Sequence, residues 1–179
     1  PVSTGKLRLS NAGDFPLYYS WAEQGFERNP PQQALNQGLE ILHEVVDAKG
    51  TVLTEAKLGD EVFVRVRVRS LNQAQVNNVA LVDVLAATGD ADGGEAPDAP
   101  LWQRRLGGRG SWRVDYADVR EDRVVFYGTV GKELLELTYK VRATNVGEFV
   151  VPAAYGEAMY DRRIFARSAG AKFKVVPVN

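Results

Sequence analysis

The sequence predicts an all-β chain folded as an antiparallel β-sandwich, of macroglobulin or fibronectin-III-like type, with a long loop insertion. Three observations carry that expectation. Apolar residues recur with period two almost everywhere, no stretch sustains a helical period, and turn signals separate the strand-like runs at short intervals. A chain of 179 residues is long enough to bury a core without covalent staples.

Taken in order, residues 6–9 and 16–23 are strand candidates. Residues 1–30 read as terminal strands that fit the end of a preceding domain, with a soft boundary at Asn29-Pro30-Pro31 and the sandwich over 31–179. The chain starts at Pro1 and reads as an excised fragment. Residues 30–36 allow one turn of helix at most. Residues 39–48 form a strand with His43 on the side of Leu39, Ile41 and Val45, and Ala48-Lys49-Gly50 turns the chain. The clearest alternation is DEVFVRVRVR over 60–69. Val62, Val64, Val66 and Val68 point one way, and Phe63, Arg65, Arg67 and Arg69 point the other. Further strands are expected at 76–85, 112–119, 123–129, 135–143, 147–151 and 171–176. Tight turns are expected at 120–122 and 145–147. Such strands present one core face and one wet face. Residues 88–100, rich in Gly, Asp, Ala and Pro, and the GGRG run ending at Gly110 read as one long insertion.

Composition excludes several functions. There is no Cys, so disulfides, thiolate nucleophiles and zinc knuckles are absent. His43 is the single histidine, which excludes multi-histidine metal sites and leaves little for a Ser-His-Asp triad. Lys and Arg total 22 against 23 Asp and Glu, so no broad field steers nucleic acid. No apolar run approaches the ~20 residues of a membrane-spanning helix. The sequence therefore predicts no catalytic residue, no metal and no cofactor.

The remaining candidates read as structural. His43 fits a packed strand position. The Arg65, Arg67 and Arg69 stripe fits cross-strand pairing with Glu40 and Glu44. Asp83, inside VALVDVL, must be hydrogen-bonded or near a sheet end, and capping a loop backbone is the expected role. Asp90, Asp92 and Glu95 have the wrong spacing for a calcium loop. The segment PAAYGEAMYDRRIFARS over 152–168 is the exception and reads either as a surface loop whose aromatics pack back on the sandwich or as a contact loop. Its two Tyr, lone Met and Arg pair are side chains that enrich contact surfaces. In the insertion, Trp102, Arg104 and Arg105 form a candidate partner loop, and the dibasic pair is equally a proteolytic weak point.

Four segments carry a resemblance: VALVDVL at 79–85, DVREDRVVFYG at 118–128, LTYKVRAT at 137–144 and FVVPAAYGEAMY at 149–160. In that order they resemble the last macroglobulin-like domain of bacterial alpha-2-macroglobulins, over roughly 38–176. The likeness is closer to the MagD/YfaS branch than to the branch encoded beside a penicillin-binding protein.

The resemblance implies a seven-stranded antiparallel sandwich, noncatalytic, at the C-terminus of a periplasmic protease inhibitor anchored at the inner membrane. The parent would entrap proteases after cleavage of a bait region. The implied partners are other domains of the parent, its target proteases, and companion periplasmic or inner-membrane proteins. Some relatives bear a Cys–Gln thioester in a helical domain, which this Cys-free chain cannot supply. In them a Met-Tyr pair on a late loop of the last domain shields the bond. Met159 and Tyr160 match that pair, with Tyr155 and Asp161 as residues that position it. Relatives commonly continue the strand of Asp83 into a Pro-Gly-Gly turn, where this chain reads VLAATGDADGG. The rival reading is a free-standing carbohydrate- or surface-binding sandwich, with Trp21, Trp102 and Trp112 as stacking candidates.

Overall fold

The computed structural model describes residues 9–19, 31–84, 109–120 and 122–178. Among them are thirteen strands and no helix: β1 (Leu35–Gln37), β2 (Leu39–Val46), β3 (Glu55–Lys57), β4 (Glu61–Ser70), β5 (Gln75–Val84), β6 (Arg109–Gly110), β7 (Val114–Val119), β8 (Arg123–Gly131), β9 (Leu135–Arg142), β10 (Gly147–Val151), β11 (Tyr155–Ala158), β12 (Asp161–Arg167) and β13 (Ala171–Val176). They form a six-stranded sheet β1-β12-β11-β5-β8-β7, a four-stranded sheet β2-β4-β9-β6 and a three-stranded sheet β10-β13-β3.

The valine alternation in β4 sets the architecture. Val62, Val64, Val66 and Val68 are all buried, and β2 and β9 flank β4 antiparallel, with Val64 opposite both Val45 and Tyr139. The main core lies between the four- and six-stranded sheets. Leu39, Ile41, Leu137 and Tyr139 meet Val79, Leu81, Val124 and Phe126 there. Each such side chain contributes about 1.5–3 kcal/mol on burial. A second cluster of Ala56, Val62, Ala143, Phe173 and Val175 packs beneath the three-stranded sheet. The outer face of β4 behaves as its sequence predicts: Arg65 and Arg67 both reach Glu44, at 2.8 and 2.9 Å, and Arg69 reaches Glu40 at 2.6 Å.

Gly38 is the corner where the chain leaves the six-stranded sheet for the four-stranded one. Its φ is +79°, and a Cβ there would stand 3.2 Å from Ile164 Cγ2, so glycine satisfies both torsion and space.

Several expectations need correction. The implied seven strands are thirteen, and β13 pairs with β3 in parallel within an otherwise antiparallel set of ladders. Residues 31–36 contain no helix. Leu35–Gln37 instead adds an edge strand beside β12, where its backbone groups find partners. Among the described residues, Leu9 and residues 16–19 lie in no strand, and Tyr18 is 93% exposed. The rest of that terminal region is outside the described residues. The turn at 145–147 joins β9 to β10, which belong to different sheets, so it is a crossover. Arg109–Gly110, expected within the insertion, pairs with Thr138 and Leu137 as β6. The segment read as a loop at 152–168 is a hairpin of β11 and β12, joined by Met159 and Tyr160 and inserted between β1 and β5.

Candidate functional site

Two places concentrate side chains beyond ordinary packing. The first is the tip of the β11–β12 hairpin. Ala158 pairs with Asp161, so Met159 and Tyr160 are the connecting residues. Both project: Met159 is 47% and Tyr160 84% exposed. The backbone beneath them is fixed. Met159 N–H donates to the Asn78 carbonyl at 3.0 Å, on β5, where Asn78 has φ +54° within an irregularity of the ladder to β8. Asp161 Oδ1 accepts from the Arg163 backbone N–H at 3.1 Å, and its carboxylate pairs with the Arg163 guanidinium at 2.9 Å. Those Arg163 contacts hold the Asp161 carboxyl below the usual range.

Asp161 therefore stands beside the Met-Tyr pair. Tyr155 stands at the opposite end of the hairpin, level with Arg167. Its hydroxyl donates to Glu157 at 2.8 Å and its ring lies 6.5 Å from Phe165. Partial burial and the Glu157 carboxylate push its pKa up to about 12. Trp102, Arg104 and Arg105 lie outside the described residues, as do Trp21, Asp90, Asp92 and Glu95.

The outward face of the six-stranded sheet departs from the wet face expected. On β5 the inward residues are Val79, Leu81 and Asp83, so Ala80, Val82 and Val84 point out. Tyr127 and Val125 lie across from Ala80 and Val82 on β8, and Tyr155 lies across from Val82 on β11. Tyr116 extends the row, with its ring 5.9 Å from Tyr127. An apolar belt thus continues from the hairpin across the sheet.

The second place is buried. Tyr139 on β9 donates its hydroxyl to Asp83 Oδ2 at 2.5 Å, and His43 Nε2 on β2 stands 3.2 Å from the same oxygen. The His43 and Asp83 side chains are 3% and 1% exposed. Asp83 comes from the six-stranded sheet and the other two from the four-stranded sheet, so the trio ties the layers. This corrects the expectation that Asp83 caps a loop backbone: its strand places it inward, opposite a tyrosine hydroxyl that needs an acceptor.

Burial pulls the His43 pKa down. The Asp83 charge, contact with that carboxylate and the Pro152 carbonyl together outweigh it, so the imidazole stays protonated above its ordinary 6.5. Burial, then Asp83, push the Tyr139 phenol well above its usual value. A raised folded-state pKa gives stability that is complete below the unfolded pKa and lost as pH rises through the folded one. Urea unfolding is therefore expected to show falling stability on the alkaline side of 6.5, a step that disappears in His43→Gln.

Trp112, a sugar-stacking candidate, is 4% exposed. Its ring packs 6.4 Å from Phe126, and its Nε1–H donates to the Thr129 carbonyl at 3.0 Å. It is a core residue, and the carbohydrate reading loses it. Asn78, Glu157 and Phe165 escaped the sequence reading. The Asn77-Asn78 interruption of an apolar strand was the available signal, since Asn tolerates positive φ. Among the described residues no cluster of His, Asp and Glu is placed to hold a metal.

Fold and site together define a β-sandwich module with a projecting hairpin and an internally tied polar core. Residues 38–162 match the family described as Bacterial Alpha-2-macroglobulin MG10 domain, and the chain belongs to that family. It is 36% identical to the alpha-2-macroglobulin homolog of Yersinia pestis over 92% of this chain and 9% of that protein. It is 34% identical to the alpha-2-macroglobulin of Pasteurella multocida over 91% of this chain and 8% of that one. It thus spans about a tenth of the length of these curated relatives. Among solved structures, the native conformation of E. coli alpha-2-macroglobulin aligns with TM-score 0.66 at 23% identity, over 86% of this chain and 10% of that one. Salmonella alpha-2-macroglobulin reacted with methylamine aligns with TM-score 0.64 at 19% identity, over 86% and 10%. At those identities the likeness bears on the fold.

Proposed function

We propose that this chain is the noncatalytic C-terminal domain of a longer, periplasmic alpha-2-macroglobulin anchored at the inner membrane, and that it packs on and locks a helical domain of the same protein. The parent entraps proteases after bait-region cleavage. Met159 and Tyr160 form the latch, and Asp161 and Tyr155 hold the hairpin's tip and root.

The observation that carries this reading is a largely exposed Tyr160 ring beside a half-exposed Met159, on a tip whose backbone is pinned to Asn78. Aromatic and Met side chains presented on a rigid support suit the centre of an interface. A thioester needs water excluded, and a ring with a flexible thioether makes an effective cover. The apolar belt of Val82, Val125 and Tyr127 offers a neighbouring domain a continuous surface. Covering one such ring contributes about 2–3 kcal/mol. That is weaker than millimolar between separate molecules. Within one polypeptide the effective concentration is high enough to keep such a latch closed, and weak enough to be released by rearrangement.

Methylamine treatment of the full-length protein, read by intact mass, tests this. A gain of one amine is expected if the helical domain bears a thioester. No gain places the parent among members that trap by rearrangement alone, as the MagD/YfaS-like resemblance would have it, and Met159 and Tyr160 are then a packing contact. No change in molecular shape after protease cleavage would overturn the reading altogether.

A further inference from the structure

Near its start, β5 carries one residue too many for its neighbour. Val76 pairs with Val130 and Val79 with Gly128, so Asn77 and Asn78 together stand opposite Thr129. Asn78 has φ +54°, the one positive φ outside glycine among the described residues. Val76 and Val79 are both buried. Positions three apart on a regular strand face opposite ways. The extra residue cancels that reversal: Val76 faces the core, and Val79, Leu81 and Asp83 face it too. Asn77 ties the bulge to the residue opposite, because its Oδ1 accepts from Thr129 Oγ1 at 3.3 Å and from Gln75 Nε2 at 2.7 Å. A left-handed backbone at a residue other than glycine is costly, and it persists where the surrounding structure demands it.

The hairpin is what meets that backbone. β11 follows β5 from Tyr155 opposite Val82 to Ala158 opposite Val79, where the ladder ends, and the next bond is Met159 N–H to the Asn78 carbonyl at 3.0 Å. A bulge bends the strand that carries it and re-aims its groups. We propose that Asn78 is the positioning residue of the Met159–Tyr160 tip: its left-handed backbone ends the β5–β11 ladder and aims a carbonyl at the Met159 amide, so that the tip is held at its base while the Tyr160 ring projects. The proposal rests on Met159 and Tyr160 being the latch. The Asn78 side chain is exposed, so a substitution there acts on the torsion and not on core packing. Glycine adopts positive φ freely, whereas a β-branched residue at such a torsion is a steric outlier.

Asn78→Val and Asn78→Gly separate the torsion from the side chain. Amide hydrogen exchange in the 179-residue chain reads the anchor without reference to any latch. With Asn78→Val the Met159 amide should exchange about tenfold faster, while Val66, paired with both β2 and β9 in the other sheet, keeps its rate. Asn78→Gly should leave Met159 within about threefold of its original rate. In the full-length protein, methylamine incorporation before protease is added reads the latch. Asn78→Val should speed it in the same direction as Tyr160→Ala, and Asn78→Gly should not. A Met159 rate unchanged by a folded Asn78→Val, or raised as much by Asn78→Gly, would overturn the proposal. So would an unchanged methylamine rate in Asn78→Val when Tyr160→Ala does raise it. If Tyr160→Ala has no effect either, the latch reading is what fails, and the exchange rates decide alone whether Asn78 sets the tip; they also decide alone in a parent that takes up no methylamine. If Asn78→Val does not fold, Asn78→Ala replaces it with the same expected direction.

Discussion

Asp83→Ala is expected to cost about 3–5 kcal/mol, the usual penalty for removing one partner of a buried charge pair. Domains of this kind commonly have about 5–15 kcal/mol in all, so the variant should sit near the edge of folding. The loss has three parts. The Tyr139 hydroxyl loses its acceptor within the main core, the imidazole of His43 loses its counter-charge, and the space left by the carboxylate stays unfilled. A further consequence separates this account from a plain cavity. With Asp83 gone, burial is the first influence remaining on His43, and burial disfavours the imidazolium. The pH dependence should therefore reverse: the unaltered chain loses stability as pH rises above 6.5, and Asp83→Ala should lose it as pH falls. Asp83→Asn keeps an acceptor for Tyr139 and should cost less than Asp83→Ala. Urea unfolding of the three proteins on both sides of neutrality checks this. An Asp83→Ala chain with unchanged stability, or with the original pH slope, would refute the role assigned to the trio.

Much of this fold is legible in the sequence because its strands are half-wet. In β4 the alternation of Val with Arg shows which face is buried, and Glu40 and Glu44 on β2 show what the arginines meet. The hairpin of β11 and β12 is opaque for the opposite reason. Among its inward positions Ile164 is the one large side chain, and Gly156, Ala158 and Ala166 carry too little to register as a hydrophobic period. They are small because the hairpin packs close: a Cβ on Gly156 would stand 2.8 Å from Ile41 Cδ1. VALVDVL carried a signal of another kind. An apolar run without alternation marks a strand covered on both faces, yet in this chain the outer face of β5 is covered only in part. Asp83 could be seen from sequence to need a partner. Tyr139 and His43 could not be chosen for it, because register between sheets depends on contacts far apart in the chain.

That incomplete cover bears on the last expectation, which concerns Tyr160. In this chain alone, Tyr160→Ala should leave stability within about 0.5 kcal/mol, since its ring is 84% exposed and loses little packing. In the full-length protein, if methylamine is incorporated, the same substitution should speed incorporation before any protease is added. Losing a covered ring's 2–3 kcal/mol sets a ceiling of about a hundredfold on that acceleration. Met159→Ala should act in the same direction and more weakly, because the Met159 methyl end is smaller and its backbone anchor to Asn78 does not depend on the side chain. Arg162→Ala, exposed two residues beyond the tip's Tyr160, serves as the control and should leave the rate unchanged. Acceleration by Tyr160→Ala without loss of stability would separate a cover from a folding defect, since a folding defect would lower stability as well. A parent that incorporates methylamine at the same rate with and without the Tyr160 ring would leave Met159 and Tyr160 with no latching role, while the apolar belt across β5 and β8 would still call for a partner surface.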